Sequence, residues 1–371
     1  MRLAVVVPGG VDRSGTERVI PALLSLIERL ARRHHVHVAA LRQEPEPGTW
    51  PLLGATVHNL GLPSEGLPGS GLLRFAPRFA RLLAREGPFD VVHAFWAGTA
   101  AALAALATLR SGTPLAVHVA GGEVAALPDI GYGGWLHRRE RMKTRFALSR
   151  ATRVTAGSRF LAAKLSALGV PSDVVPLGAD ASVFSPEPEM ERDGARLLHV
   201  ASRNAVKDLP TLLAAFRRVV DALPGARLDQ VGEDVDGGAS VRLAGELGLS
   251  SRVTFHGFLP PARLAPLFRG ASLFVQSSRW EAQGVAVLEA ALAGTPTAGT
   301  AVGLVADLAP EAALAVPPQD PGALAEGILA LLSDPERRYR MGGAAQAFAV
   351  AHDADATAAA FESIYGELAG G

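Results

Sequence analysis

No cysteine occurs anywhere in the chain, which excludes disulfides, thiolate nucleophiles and thiolate zinc sites and fits a reducing compartment. No apolar run reaches the roughly 20 residues of a membrane-spanning helix. The opening MRLAVVVPGG stops being apolar at Pro8 and has no cleavage-like region, so it is expected to form a first β-strand of a cytoplasmic protein. Net charge is also missing: Lys+Arg and Asp+Glu are both 36, which argues against bulk nucleic-acid binding.

That balance hides an asymmetry. Residues 1–185 hold 21 Lys+Arg against 13 Asp+Glu, a surplus of +8, and the remainder holds 15 against 23, or −8. The segregation is either accidental or marks a basic lobe that docks on an anionic lipid or acceptor. A hydrophobic content of 49% with 19% charged residues is that of a globular protein. The 371 residues exceed one ordinary core, and about 150 residues per domain implies two.

Short apolar, β-branched runs recur at residues 3–7, 36–40, 91–93, 115–119, 153–156 and 172–176. Stretches with helical spacing lie between them, such as 18–32, where Val19, Leu23, Leu26, Ile27 and Leu30 share one face. After residues 178–194, rich in Pro, Asp and Glu, the pattern restarts at 197–201, 227–231, 253–255, 273–276, 295–298 and 314–316. Strands alternating with helices predict parallel βαβ units in two doubly wound α/β lobes, residues 1–185 and 186–352, facing across a cleft. A last helix, within 353–371, carries Ala358, Phe361, Ile364, Tyr365 and Leu368 for packing back on the first lobe.

The most informative stretch runs from Ser277 to Ala290 and includes Glu281-Ala282-Gln283-Gly284-Val285 and Glu289. A helix opening near Gly284 aims the amides of Gly284 and Val285 at an anion or at sugar hydroxyls, and glycine lets a ligand approach the backbone. Glu289, one turn in, suits a vicinal diol. Two glutamates at this spacing are by themselves commonly a helix cap and a solvated face. Together with Gly294-Thr295-Pro296 they resemble the family 4 retaining glycosyltransferases of the GT-B fold, over nearly the whole chain.

The resemblance implies that Glu281 lies by the donor sugar and phosphate and that Glu289 binds the nucleotide ribose, with Gln283 beside them. It implies phosphate roles for Arg203 and Lys207 in the loop after residues 197–201, although the family's arginine aligns better with Ser202. A departing diphosphate carries about two negative charges, which Arg and Lys suit. Gly257 and Phe258 fall where the family lines the base; a tight turn with a buried Phe is the plain alternative. His118 resembles the N-lobe histidine that contacts the donor sugar, against the common case of a satisfied histidine ending a buried strand. His93 is a weaker candidate, and Glu123 is placed to meet an acceptor. Gly15 and Thr16, ahead of Glu17-Arg18, stand where the family has a Gly-Gly loop, with Thr16 replacing the second glycine.

Asp234-Val235-Asp236 has the form of a metal-binding Asp-x-Asp, but it lies in a glycine-rich loop and is read as a surface turn. His34-His35-x-His37 is read as a helix end and a strand, and no metal is expected. Two basic segments, 72–85 with Leu72, Arg74, Arg78, Arg81 and Arg85, and 135–153 with Arg138, Arg139, Arg141, Lys143, Arg145, Arg150 and Arg153, are either solvated helical faces or a peripheral membrane contact.

The expected function is metal-independent hexosyl transfer from a UDP- or GDP-sugar to a glycan, lipid or small-molecule acceptor, with the nucleotide sugar as co-substrate and no cofactor or nucleic-acid partner. A nucleotide-sugar epimerase of the same fold and a non-catalytic sugar-binding protein remain open at this stage.

Overall fold

The computed structural model describes residues 1–63, 71–186 and 194–370; the side chains of residues 71–74 lie outside that description, so the expectations placed on Leu72 and Arg74 are not tested. The chain divides into two compact units.

The first unit, Met1–Leu177 with the C-terminal segment from Ala354, is built on an eight-stranded sheet. Its strands are β1 (Arg2–Val7), β2 (His35–Ala40), β3 (Gly48–Leu52), β4 (Ala55–Asn59), β5 (Val91–Phe95), β6 (Leu115–Val119), β7 (Arg153–Ala156) and β8 (Asp173–Val174). The order is β3-β4-β2-β1-β5-β6-β7-β8, parallel except for the β3–β4 pair. Strand β1 is buried from Leu3 to Val7, which explains its unbroken apolar run: a parallel strand covered on both faces has no polar side. The hairpin β3–β4 is absent from the sequence reading. Leu53 and Gly54 take positive φ at its two-residue turn, a left-handed pair that Asn-Gly would have announced and Leu-Gly does not. Pro51 fits because β3 is the edge strand.

The unit's helices are α1 (Pro21–Ala31), α2 (Gly71–Glu86), α3 (Thr99–Ser111), α4 (Arg138–Arg150), α5 (Arg159–Ser166) and, from the far end of the chain, α14 (Ala354–Gly370). Helix α1 begins later than its apolar spacing suggests, because Arg18 is left-handed and Val19 bridges Val11, and Pro21 then supplies the fixed φ of a first helical residue. Helix α14 is tied down by fully buried Phe361 and Tyr365 and by Arg29, whose Nε and Nη2 hold the two oxygens of Asp355 at 2.8 and 3.1 Å. The Tyr365 hydroxyl lies 2.7 Å from Nδ1 of buried His93. Tyr365→Phe leaves that nitrogen unpaired and is expected to lower stability by about 1–2 kcal/mol in urea titrations.

The second unit, Gly178–Asp353, holds β9 (Arg196–Val200), β10 (Arg227–Val231), β11 (Val253–Phe255), β12 (Leu273–Gln276), β13 (Thr297–Thr300) and β14 (Ala313–Val316), all parallel in the order β11-β10-β9-β12-β13-β14. Its helices are α6 (Ala181–Phe184), α7 (Leu209–Ala222), α8 (Ala239–Glu246), α9 (Pro261–Gly270), α10 (Val285–Leu292), α11 (Gly303–Leu308), α12 (Pro321–Leu332) and α13 (Pro335–Ala351). Side chains alternate along each strand, so Leu273 and Val275 face the layer of α7 and α12 and Phe274 faces that of α9 and α10.

The division falls at Leu177, earlier than the residue 185 expected from composition. Phe184 packs against Phe268 with ring centroids 5.8 Å apart, and Arg269 donates to the carbonyls of Ser185 and Val183 at 2.7 and 2.8 Å. These contacts claim residues 178–185 for the second unit, and composition does not show them.

Candidate functional site

In an open parallel sheet, ligands sit beyond the carboxyl ends of the strands where the strand order reverses. In the second unit this point lies between β9 and β12. The loop after β9 forms a 3₁₀ turn, Ala205–Lys207, capped by Asn204, and Asp208, left-handed, then caps α7. The loop after β12 is stitched to it: Ser277 Oγ donates to the Lys207 carbonyl at 2.7 Å and Arg279 N to the Val206 carbonyl at 2.8 Å. Across this seam Lys207 Nζ stands 2.6 Å from Glu281 Oε1, which also accepts from Ser278 Oγ at 2.6 Å. Side chains 74 positions apart thus form one partly exposed ion pair.

Gly284 caps α10 with φ 90°, and a Cβ there would stand 2.8 Å from Gln276 Oε1, so the position favours glycine twice over. Among the described residues no acceptor faces the amides of Gly284, Val285 and Ala286, the arrangement that attracts an anion to a helix start. Glu289 is half-buried, its carboxyl has no hydrogen-bond partner among the described residues, and burial pushes that carboxyl up to about 7. Gln283 is buried, and its carbonyl accepts from Leu304 N at 2.7 Å. Gly303, missed in the sequence, is part of this packing: at φ +55° a Cβ would fall 2.4 Å from the Gln283 carbonyl and 2.8 Å from Glu281 Cβ. The available signal was a glycine just after strand β13. Thr300 Oγ1, donating to Ser278 O at 2.5 Å, was missed as well.

Arg203 is held by partners within the second unit. Its side chain is 5% exposed, with Nη2 2.8 Å from Asp234 Oδ2, Nη1 3.3 Å from Gln230 Oε1 and the guanidinium carbon 5.4 Å from the Phe255 ring centre. Asp234 and Asp236 thereby also find their place: Asp234 is Arg203's partner, and Asp236 accepts from Ser240 N at 3.0 Å. Arg203→Ala is expected to cost about 1–2 kcal/mol of stability, measured by thermal unfolding, with little change in nucleotide affinity. Gly257 is left-handed with open space beside it, and Phe258 is 47% exposed, so the turn with a buried Phe is not what forms. An exposed ring at a strand's carboxyl end is available to a flat ligand.

His118 and His93 are core residues of the first unit. His118, 1% exposed, lies with Nδ1 2.9 Å from Thr155 Oγ1 and its ring edge-on to Phe361, and burial holds it down at about 3. Its ring packs against the Phe361 ring of α14. His93, tilted against Phe95 and edge-on to Phe361 and Tyr365, is held well below its ordinary range by the same burial. Glu123 is a loop staple, accepting from Ala97 N at 2.9 Å and Gly121 N at 2.7 Å, and so joins the loops after β5 and β6. In the loop after β1, Gly15 N donates to Asp12 O at 3.0 Å, and Thr16 N and Glu17 N turn to Ser14 Oγ at 3.3 and 3.0 Å. These three amides are engaged within the loop itself.

Comparison with known proteins agrees with this layout. A family model described as "Glycosyl transferases group 1" matches residues 184–348, and one described as "Glycosyl transferase 4-like domain" matches 19–179. A D-inositol 3-phosphate glycosyltransferase of Segniliparus rotundus is 29% identical over 95% of this chain and 84% of its own. Further matches to relatives of that name take in 49–51% of those proteins' length. Among solved structures, a sucrose-phosphate synthase from Thermosynechococcus elongatus superposes with a TM-score of 0.83 at 23% identity over 99% of both chains. Anabaena HepE, in complex with UDP and glucose, superposes with 0.74 at 18% identity over 98% of both. The chain belongs to the group 1 glycosyltransferases of family 4 type, with the two Rossmann-like lobes of the GT-B fold, and at that level is a transferase using nucleotide sugars.

Proposed function

We propose that the chain moves a hexose from a UDP- or GDP-linked donor to a glycan, lipid or small-molecule acceptor with retention of anomeric configuration, and without a metal. The observation that carries this reading is the Lys207–Glu281 pair, 2.6 Å apart beside the helix start at Gly284. Lys207 and the amides of Gly284, Val285 and Ala286 bind the diphosphate and stabilise the charge that grows on it as the glycosidic bond breaks, the task a metal performs elsewhere. Glu289 accepts from the ribose hydroxyls, and the base lies against Gly257 and Phe258. The acceptor hydroxyl attacks from the face the phosphate leaves, and a departing phosphate oxygen takes its proton. Glu281 positions donor and Lys207; it is not a nucleophile.

The relative's name makes a phosphorylated cyclitol the first acceptor to try. No helix among the described residues is long and apolar enough to cross a membrane. The exposed Arg81, Arg85, Arg138 and Arg139 support a cytoplasmic enzyme that contacts anionic membrane peripherally, to be read as salt-sensitive co-sedimentation with anionic vesicles.

The deciding experiment offers UDP-glucose, UDP-N-acetylglucosamine and GDP-mannose in EDTA, following thermal protection, slow donor hydrolysis and the anomeric signal of the product by NMR. Protection by one donor and an axial-to-axial outcome are expected. If no donor protects or is hydrolysed, or if the product is inverted, the reading fails.

A further inference from the structure

The sheet of the first unit brings together three side chains that the donor site does not use. His37 on β2 and His58 on β4 are diagonal neighbours on one face, since His37 pairs with Thr56 and Ala39 with His58 in adjacent parallel strands. Glu86, the last residue of α2, lies over the same face. His37 Nδ1 is 3.0 Å from His58 Nε2 and 3.9 Å from Glu86 Oε2, and the three atoms lie within 4.8 Å of one another.

Ligand atoms held 2.0–2.1 Å from one tetrahedral zinc stand roughly 3.3 Å apart. The observed separations bracket that value, so small side-chain movements close the site. Imidazole nitrogen and carboxylate oxygen are the ligand types that zinc takes. The surrounding contacts also fix the ligand atoms. Arg85 takes the other carboxylate oxygen, its Nε 2.8 Å from Oε1, and leaves Oε2 to face His37. Thr49 Oγ1 lies 3.4 Å from His58 Nδ1, on the far side of that ring. Arg2 Nε donates to the Glu86 carbonyl at 2.6 Å, anchoring the residue. His58 borders a groove of about 630 Å³, also lined by Arg78, Arg81 and Arg85.

We propose that His37 Nδ1, His58 Nε2 and Glu86 Oε2 bind a zinc ion. Two neutral imidazoles and one carboxylate form a His₂Glu set, with one position left to water. The ion would clamp the end of α2 to β2 and β4. This site belongs to the first unit's sheet and leaves the metal-free reading of sugar transfer as it stands. His34 and His35 take no part: His34 pairs with Glu362 at 3.1 Å, and His35 is exposed.

The test is titration of the chelator-stripped, desalted full chain with zinc chloride by calorimetry, and with cobalt chloride by visible absorption. One zinc per chain, a cobalt band of low-symmetry N/O coordination and a melting temperature that rises with zinc are expected. His58→Gln and Glu86→Gln should each weaken binding by more than about tenfold, the range that even outer contacts of metal sites command. Glu86→Gln keeps the side chain's shape, so it remains readable if His58→Gln fails to fold. Absence of zinc and cobalt binding by the unmodified chain overturns the proposal, because the imidazoles then share only an N–H···N hydrogen bond. Binding that survives both substitutions overturns it too, since other histidines would then hold the ion.

Discussion

Lys207→Ala is expected to lower kcat/KM for the nucleotide sugar by roughly 10²–10³-fold, the usual cost of removing one group that stabilises developing charge. Two effects add. The ammonium no longer meets the diphosphate, and the Glu281 carboxylate, left with Ser278 Oγ as its partner, faces the incoming phosphates with its charge uncompensated. Glu281→Gln on the Lys207→Ala background should therefore recover part of the donor affinity, a non-additivity that a double-mutant cycle measures directly. Stability should change by less than about 1 kcal/mol, because the pair is partly exposed. Lys207→Arg restores charge but not shape: a planar guanidinium does not fit where an ammonium sits 2.6 Å from Glu281. Steady-state kinetics with the donor varied decide the matter, and wild-type kcat/KM in Lys207→Ala would remove Lys207 from the site.

The loops after β9 and β12 were legible because their signals are local. Gly284 announces a helix start, Glu289 lies one turn along it, and Lys207 follows a strand by a few residues. What the sequence could not show depends on partners far along the chain. Arg203 looks like a loop cation until Asp234, 31 residues on, claims it. The sequence does not show that α14, from the other end of the chain, lays Phe361 against the His118 ring. His37 reads as a strand residue until His58 comes up beside it. In each case a polar side chain was assigned to solvent or ligand because its protein partner was out of view.

The fold divides in the same way. Buried parallel strands such as β1 and β6 appear as apolar runs, since both faces are covered. The edge hairpin β3–β4 does not: it is partly exposed, contains Pro51, and turns on Leu53-Gly54. The boundary at Leu177 was displaced for an energetic reason, as Phe184 gains more by burial against Phe268 than a linker residue would in water.

Glu289→Gln should separate stability from function more cleanly than any other substitution in the site. Burial raises this carboxyl from an ordinary 4.5 to about 7. Between those two values the native chain holds a proton that the unfolded chain has released, so the group's stabilisation is complete below about pH 4.5 and is lost as pH rises through 7. At pH 8 the 2.5-unit difference, at 1.36 kcal/mol per unit, sets an upper bound of about 3.4 kcal/mol on the cost of the ionised carboxylate, and solvent screening of this half-buried group lowers it to about 2 kcal/mol. Glutamine has the same shape and no charge to desolvate, so Glu289→Gln should melt roughly 5 °C higher at pH 8 and near the wild-type temperature at pH 5. Donor binding should move the other way. Ribose hydroxyls bond more strongly to a carboxylate than to an amide oxygen, and the substitution should weaken nucleotide affinity roughly tenfold at pH 8. Wild-type affinity should fall as pH drops below 7, while that of Glu289→Gln stays flat. Calorimetric titration of UDP and GDP at pH 5.5, 7 and 8.5 checks this; parallel pH profiles in the two proteins would mean that Glu289 does not hold the ribose.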